Sequence, residues 1–216
     1  MFMNLAIFPL ELIVFPGEQV NLHIFEQRYR DLFNDLKDGV VNHFGIPPVV
    51  DNNFHLLGTR LRLVDIAKHY KSGEMDVITE GVDVFGVINF LDHYEDKSYA
   101  GAEIEMMEND PSYNLIQFNE LQDLYEEFQS LLTQRKEIEN VKPEIYSYQI
   151  AHYSGLNKMQ KLNLLADPEE EERQQMMINH FKEIMPSMRN IQETQKRIIA
   201  NGHFKNLKSF KFQKPE

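Results

Sequence analysis

The sequence predicts an α+β protein in which a β-rich unit precedes a helical unit. Three observations lead to this prediction. Apolar and polar residues alternate along several runs of the first half, a pattern typical of strands. Apolar residues at helical spacing dominate the second half. The turn-rich segment Asn-Asp-Pro-Ser at 109–112 separates the two patterns. We therefore expect a β-rich unit at 1–112, a helical unit at 113–202 and a basic tail at 203–216.

Alternating runs predict the strands of the first unit, at residues 20–25, 61–66, 74–78, 82–91 and 102–107. Gly73 predicts a hairpin turn between the second and third runs, because glycine accepts a positive φ. One helix interrupts the strands. Its apolar face is spaced at i, i+3, i+4 and i+7 and consists of Tyr29, Leu32, Phe33 and Leu36. Gly39 is placed to end it.

Helical spacing predicts the elements of the second unit. The first apolar stripe consists of Leu121, Leu124, Tyr125, Phe128, Leu131 and Leu132. Asp167-Pro168 followed by four glutamates is a strong helix start, because acids favour the positive end of the helix dipole. We expect this helix to end or kink at Pro186. A further helix would run from about Asn190 to Ala200.

Composition excludes several classes of function. The chain has 216 residues, 42% of them hydrophobic, which is typical of a folded protein. Its net charge of −12 opposes general binding of nucleic acids. It has no cysteine, so thiol nucleophiles, disulfides and zinc fingers are excluded. No apolar run is long enough to span a bilayer, and we expect a cytoplasmic protein without a membrane partner.

Motifs for catalysis and cofactor binding are absent from the sequence. It contains no glycine followed by lysine, and hence no phosphate-binding loop of the Gly-x-x-x-x-Gly-Lys type. The histidines show no metal-site spacing, and we expect neither a metal nor a cofactor. His152 and Ser154 are close in sequence, but a catalytic dyad also needs an orienting group and an oxyanion site. We therefore expect a protein that is not an enzyme.

The first 29 residues carry a more specific pattern. It comprises Phe8-Pro9-Leu10, Phe15-Pro16-Gly17 and His23-Ile24-Phe25-Glu26-Gln27-Arg28-Tyr29. This pattern resembles the opening of the Lon protease N-terminal, or substrate-binding, domain family, with Gln27 in place of the usual proline. Pro-Gly turns and aromatic junctions fix the path of a chain. We therefore expect these residues to be mainly structural.

The resemblance implies a PUA-like, β-barrel-like domain followed by a helical bundle. It also implies capture of polypeptides, while the ATPase and peptidase modules of Lon have no counterpart here. The expected function is a stand-alone polypeptide-recognition or adaptor protein. Its partners would be unfolded or exposed apolar polypeptide segments and a protease or chaperone.

Four residues are candidates for contacts with a polypeptide. Met106 and Met107 are consecutive, so a strand would place one on each face, and methionine adapts to varied ligands. Phe85 and Tyr99 match weaker positions of the family pattern and complete the set. Both methionines could instead pack against the helical unit.

Two alternative functions remain open at this point. PUA-like folds in other families bind RNA, and the tail interleaves lysines with phenylalanines, a composition that suits single strands. The acidic body makes this alternative the weaker one, since the tail cannot outweigh its charge. The second alternative is an ATP-independent peptidase.

Overall fold

The computed structural model describes residues 2–50 and 53–207. The chain begins with strand β1 (Phe2–Ile7), strand β2 (Gln19–Ile24) and helix α1 (Gln27–Lys37). α1 buries the predicted face of Tyr29, Leu32, Phe33 and Leu36. The φ of Gly39, +74°, confirms the predicted role of this glycine at the end of α1.

Six further strands follow: β3 (Phe44–Ile46), β4 (Val49–Val50), β5 (Asn53–Phe54), β6 (Leu57–His69), β7 (Met75–Leu91) and β8 (Gly101–Met106). The predicted runs 74–78 and 82–91 are one strand, β7. Gly81 lies between the two runs, inside β7. Only glycine fits there, because the backbone of Phe15 passes so close that a Cβ on Gly81 would lie 2.3 Å from the Phe15 carbonyl oxygen. Gly73, with a φ of +87°, forms the predicted hairpin turn between β6 and β7.

Six of these strands form a sheet in the order β2-β7-β6-β3-β1-β8, and β4 pairs with β5 in a separate two-stranded sheet. β7 also pairs with β8, so β7, β6, β3, β1 and β8 close into a ring. β1 and β3 run parallel, and the other neighbours in the sheet run antiparallel. The α+β class predicted from the sequence is confirmed by this arrangement.

The second half of the chain is helical: α2 (Leu115–Leu131), α3 (Tyr146–Ile150), α4 (Lys158–Ala166) and α5 (Glu170–Leu207). Asn114 begins α2 by accepting hydrogen bonds from the backbone N–H groups of Ile116 and Gln117. α2 packs on α5, where the rings of Phe128 and Phe181 lie 5.1 Å apart. Ile13 and Phe15 from the first half belong to the same core as these helices, so the two halves share buried surface.

α5 differs from the prediction, because it continues through Pro186 and past residue 200. A proline inside a helix leaves the carbonyl four residues earlier without its N–H partner. Here that carbonyl belongs to Lys182, which is exposed, as is Pro186, so water can satisfy it. Met185 beside the proline is buried, and this packing favours a continuous helix. The predicted basic tail lies outside the described residues from 208 onward.

The glutamate run begins α5 as predicted, but one member is not a surface residue. Glu170 is fully buried and forms an ion pair with the fully buried Arg173, at 2.9 Å. Ser147 donates to the same carboxylate from its backbone N–H and its hydroxyl. Gln174 donates to it as well, at 2.9 Å. This network joins α3 to α5, because hydrogen bonds and an opposite charge offset the cost of burying the carboxylate.

Candidate functional site

A group of exposed apolar side chains lies on or beside neighbouring strands. Their exposed fractions range from 37% to 63%. We call this group the strand patch; it consists of Met3, Phe54, Leu56, Ile88 and Phe90. Single exposed apolar residues are ordinary, but neighbouring ones mark interaction surfaces.

Strand register brings the members of the patch together. The backbone N–H of Val87 on β7 donates to the carbonyl of Leu56, at 2.6 Å. Val87 pairs with Ile104 on β8, and Ile104 pairs with Met3 on β1. One row therefore crosses from Leu56 to Met3, a span of about 15 Å for three strand spacings.

The remaining members adjoin this row. Ile88 follows Val87 at a bulge in the pairing of β7 with β8. A bulge leaves one residue without a partner and redirects its side chain, which fits the 48% exposure of Ile88. The rings of Phe54 and Phe90 lie 5.4 Å apart. Phe2, which precedes Met3 on β1, faces the opposite side of the strand and is not part of the patch.

A packed floor supports the strand patch. Its buried members are at most 7% exposed: Leu5, Ile7, Phe85, Val87, Ala102 and Ile104. Phe85 fits between two glycines, since a Cβ on Gly58 or Gly45 would lie 2.6 or 2.7 Å from its Cζ atom. The patch therefore lies on a rigid layer of the sheet, which favours a preformed binding surface.

Two of the predicted contact residues lie in the core instead. Phe85 is fully buried because the two glycines leave room for its ring. Tyr99 is also fully buried, and its hydroxyl donates to the Asp35 carboxylate at 2.7 Å. Burial, together with that carboxylate, raises the pKa of Tyr99 far above its usual value. Neither side chain offers surface to a polypeptide.

The two predicted methionines take different positions, both half-buried. Met106 packs on the floor of the strand patch, two residues beyond Ile104 on β8. Met107 packs on the core of the helices. Consecutive side chains of a strand face opposite sides, which explains why Met106 and Met107 pack on different cores. Met106 is thus the candidate that borders the patch.

The aromatic and aliphatic residues of the opening pattern are in large part buried or half-buried. Phe8, Phe15, Ile24 and Tyr29 are at most 7% exposed, and Pro9, Leu10 and Pro16 are half-buried. The φ of Gly17 is +81°, as the predicted turn requires. Tyr29 packs on Phe8, with ring centres 4.1 Å apart.

Six residues of that pattern are exposed: Gly17, His23, Phe25, Glu26, Gln27 and Arg28. His23 contacts Asp76 across the sheet, with Nδ1 and Oδ1 2.7 Å apart. Arg28 donates to Glu26 at 3.0 Å. Phe25 is 60% exposed, so the strand–helix junction is packed by Phe8 against Tyr29. The contact of His23 joins β2 to β7, whereas that of Arg28 spans two residues of the chain.

The sequence neighbours His152 and Ser154 do not form a dyad. His152 Nε2 lies 3.1 Å from the Glu18 carboxylate, and its Nδ1 lies 3.1 Å from the ammonium of Lys161. The Ser154 hydroxyl is fully buried and donates to the Ile150 carbonyl at 2.7 Å. Both ring nitrogens thus have other partners, and the hydroxyl is closed to a substrate.

Two findings concern only the described part of the chain. Within residues 2–50 and 53–207, no three carboxylate or imidazole side chains come together as a possible metal site. None of the helices described there is both long and apolar enough to cross a membrane.

Comparison with known proteins gives a consistent result. Residues 4–183 match the family model of the ATP-dependent protease La (LON) substrate-binding domain. A Lon N-terminal domain protein from Xanthomonas campestris is similar in structure, with a TM-score of 0.64 and 22% identity; the match covers 82% of this chain and 98% of that one. The N-terminal domain of a Mycobacterium avium complex Lon protease is similar too, with a TM-score of 0.62 and 13% identity, over 83% and 98% of the two chains. No curated protein sequence matches the chain.

Proposed function

The chain belongs to the ATP-dependent protease La (LON) substrate-binding domain family, and from this membership we propose that it is a non-catalytic polypeptide-recognition or adaptor protein. Family membership supports a role in substrate recognition. The ligands we propose are unfolded polypeptides and exposed apolar segments of proteins. A protease or chaperone would receive what the protein binds, in the cytoplasm.

The strand patch is the observation that carries this proposal. An unfolded chain presents apolar side chains in varied order, so its receptor needs apolar surface without a deep, shape-specific pocket. The exposed members of the patch supply such surface at both ends of a row of about 15 Å, from Leu56 to Met3, whose middle residues Val87 and Ile104 are buried in the floor. Met106 at its border adds an adaptable side chain.

Charge around the patch favours polypeptides over nucleic acids. Glu103 and Glu105 lie on β8 on either side of Ile104, with their side chains on the opposite face of that strand. These carboxylates and the net charge of −12 repel phosphate groups. Basic residues flanking an apolar segment of a polypeptide would be attracted instead.

A binding assay with a permanently unfolded protein tests the proposal. We expect reduced, carboxymethylated α-lactalbumin to bind the full chain, and native α-lactalbumin not to bind. Leu56→Asp should weaken binding roughly tenfold, because it places a charge in the apolar contact. Ile116→Asp is the matched control, since Ile116 is 81% exposed on α2 and outside the patch. Equal binding by both variants would remove the patch from the proposal.

Non-catalytic status needs its own measurement. We expect the purified chain neither to hydrolyse ATP nor to cleave casein. The burial of Ser154 and the two partners of His152 support this expectation. Proteolysis that survives repurification and disappears on a single serine or histidine substitution would overturn it.

A further inference from the structure

A small pocket lies where the β-rich half meets the helices. We call it the junction pocket; its volume is about 170 Å³. Its apolar wall comes from Leu12, Ile13, Val49 and Val50, and its polar wall includes His152, Lys158 and Lys161. Pockets for whole small-molecule ligands measure about 300–1,000 Å³. The junction pocket therefore has room for a single amino-acid residue.

The charge of Lys161 in this pocket is incompletely neutralised. Its ammonium lies 3.1 Å from His152 Nδ1, and an ammonium only donates, so this nitrogen accepts. Nε2 of the ring then carries the hydrogen and donates to Glu18 at 3.1 Å. The imidazole thus links Lys161 to the Glu18 carboxylate, and it leaves two ammonium hydrogens of Lys161 for another acceptor.

No ion pair among the described residues includes Lys158 or Lys161. Both lie in the first turns of α4, where the positive end of the helix dipole disfavours a cation. Burial also lowers the pKa of Lys161, an effect that Glu18 partly offsets. An anion in the pocket would offset both the unfavourable helix dipole and the cost of burying the charge of Lys161.

An apolar wall and two lysines within one small pocket restrict the ligand. A phosphate group would leave the four aliphatic side chains without a contact. A C-terminal residue of a polypeptide carries an aliphatic side chain and a carboxylate on one Cα atom. Both groups then fit within a space of this size.

We propose that the junction pocket binds the C-terminal residue of a polypeptide, with its aliphatic side chain on Leu12, Ile13, Val49 and Val50 and its α-carboxylate on Lys161 and Lys158. This inference rests on the proposed function, because it assumes that polypeptides are the ligands. It adds a preference that the strand patch cannot supply: a free, apolar C-terminus.

One group at the pocket opposes the ligand. Glu11 is exposed and borders the pocket, and its carboxylate repels an anion. Removing this charge should strengthen binding of a carboxylate and leave binding of a neutral ligand unchanged. Glu11→Gln therefore tests the sign of the electrostatic argument without touching either lysine.

The test compares two labelled dodecapeptides that end in Leu-Leu and differ only at the terminus, one a free acid and one a carboxamide. Fluorescence anisotropy with the full chain should give at least tenfold tighter binding of the free acid, as expected for a charge-assisted hydrogen bond. Lys161→Met should abolish this difference, and Lys161→Arg should retain it. Lys71→Met, an exposed lysine in the hairpin turn, is the matched control and should behave like the unsubstituted chain.

The outcomes separate this inference from the proposed function. Equal affinity for acid and amide overturns the junction pocket and leaves polypeptide recognition intact. The same conclusion follows if unfolded α-lactalbumin binds and neither peptide does. Failure to bind α-lactalbumin counts against the proposed function itself. Competition by N-acetyl-leucine but not by N-acetyl-leucinamide supports the pocket. If Lys161→Met does not fold, as judged by its melting curve, tighter binding of the acid by Glu11→Gln still supports the pocket, and unchanged binding overturns it.

Discussion

The guanidinium of Arg173 donates to the carboxylate of Glu170 at 2.9 Å, and both side chains are completely buried. The same guanidinium lies over the ring of Tyr148, 4.1 Å from its centre, and donates to the Asp167 carbonyl at 2.7 Å. α3, the start of α5 and the segment before α5 therefore meet at one charged residue. Removing either partner of such a pair leaves an uncompensated charge in the interior.

Glu170→Ala should therefore lower the free energy of unfolding by about 3–5 kcal/mol. Urea denaturation followed by circular dichroism measures this change. The matched control is Glu171→Ala, which removes an exposed acid from the same turn and should change stability by less than about 1 kcal/mol. Similar losses in the two variants would mean that the buried pair contributes no more than the helix dipole.

Gly58→Ala should destabilise the sheet, because its new Cβ would lie 2.6 Å from Phe85 Cζ and 2.8 Å from the Ile46 carbonyl oxygen. Overpacking of this kind costs about 1–3 kcal/mol. Gly86→Ala is the control on the neighbouring strand, since the nearest atom to its Cβ would be 4.0 Å away. Thermal unfolding should show a clear loss for the first variant and no loss for the second. The opposite order would contradict the packing of Phe85.

Tyr99→Phe should cost about 0.5–1.5 kcal/mol, because it removes the hydrogen bond from the buried hydroxyl to Asp35. Asp35 keeps its ion pair with Lys97, at 3.1 Å, so the carboxylate is not left without a partner. Tyr113→Phe removes an exposed hydroxyl and should leave stability unchanged. Chemical denaturation of both variants measures the difference. An equal effect would mean that the hydrogen bond from Tyr99 to Asp35 adds nothing to stability.

Local patterns predicted those elements whose apolar residues repeat within one segment. α1 was identified from Tyr29 to Leu36 and from Gly39, and β2 from the alternation that ends at Ile24. Pro186 led to a wrong prediction, because the packing of Met185 against distant residues outweighs the local effect of proline. The burial of Glu170 could not be predicted from local patterns either, since its partner Ser147 lies 23 residues away in the chain.

The strand patch, too, could not be predicted from local sequence patterns. Leu56, Val87, Ile104 and Met3 form one row only after β1, β8 and β7 have paired and the residue before β6 has joined them. No short segment contains that row, so sequence patterns could indicate individual apolar residues but not their meeting. Phe85 was misassigned for the same reason, because the space left by Gly58 and Gly45 comes from two other strands. The opposite directions of Met106 and Met107 are predictable because alternation along a strand is local, but which of the two borders the patch is not.

The contact between His23 and Asp76 predicts how stability depends on pH. Hydrogen bonds from His23 and from the Tyr70 hydroxyl hold the pKa of Asp76 below its ordinary value of 3.8. A carboxylate with a lowered pKa stabilises the folded state above its ordinary pKa, and this stabilisation is lost as the pH falls through the lowered value. The stability difference between the unsubstituted chain and Asp76→Asn should thus be full above about pH 4 and shrink in stronger acid.

Urea unfolding at several pH values measures this stability difference, and NMR titration should place the Asp76 midpoint below 3.8. Tyr70→Phe removes one donor and should move that midpoint upward; a midpoint at or above 3.8 in the unsubstituted chain would contradict the assigned hydrogen bonds.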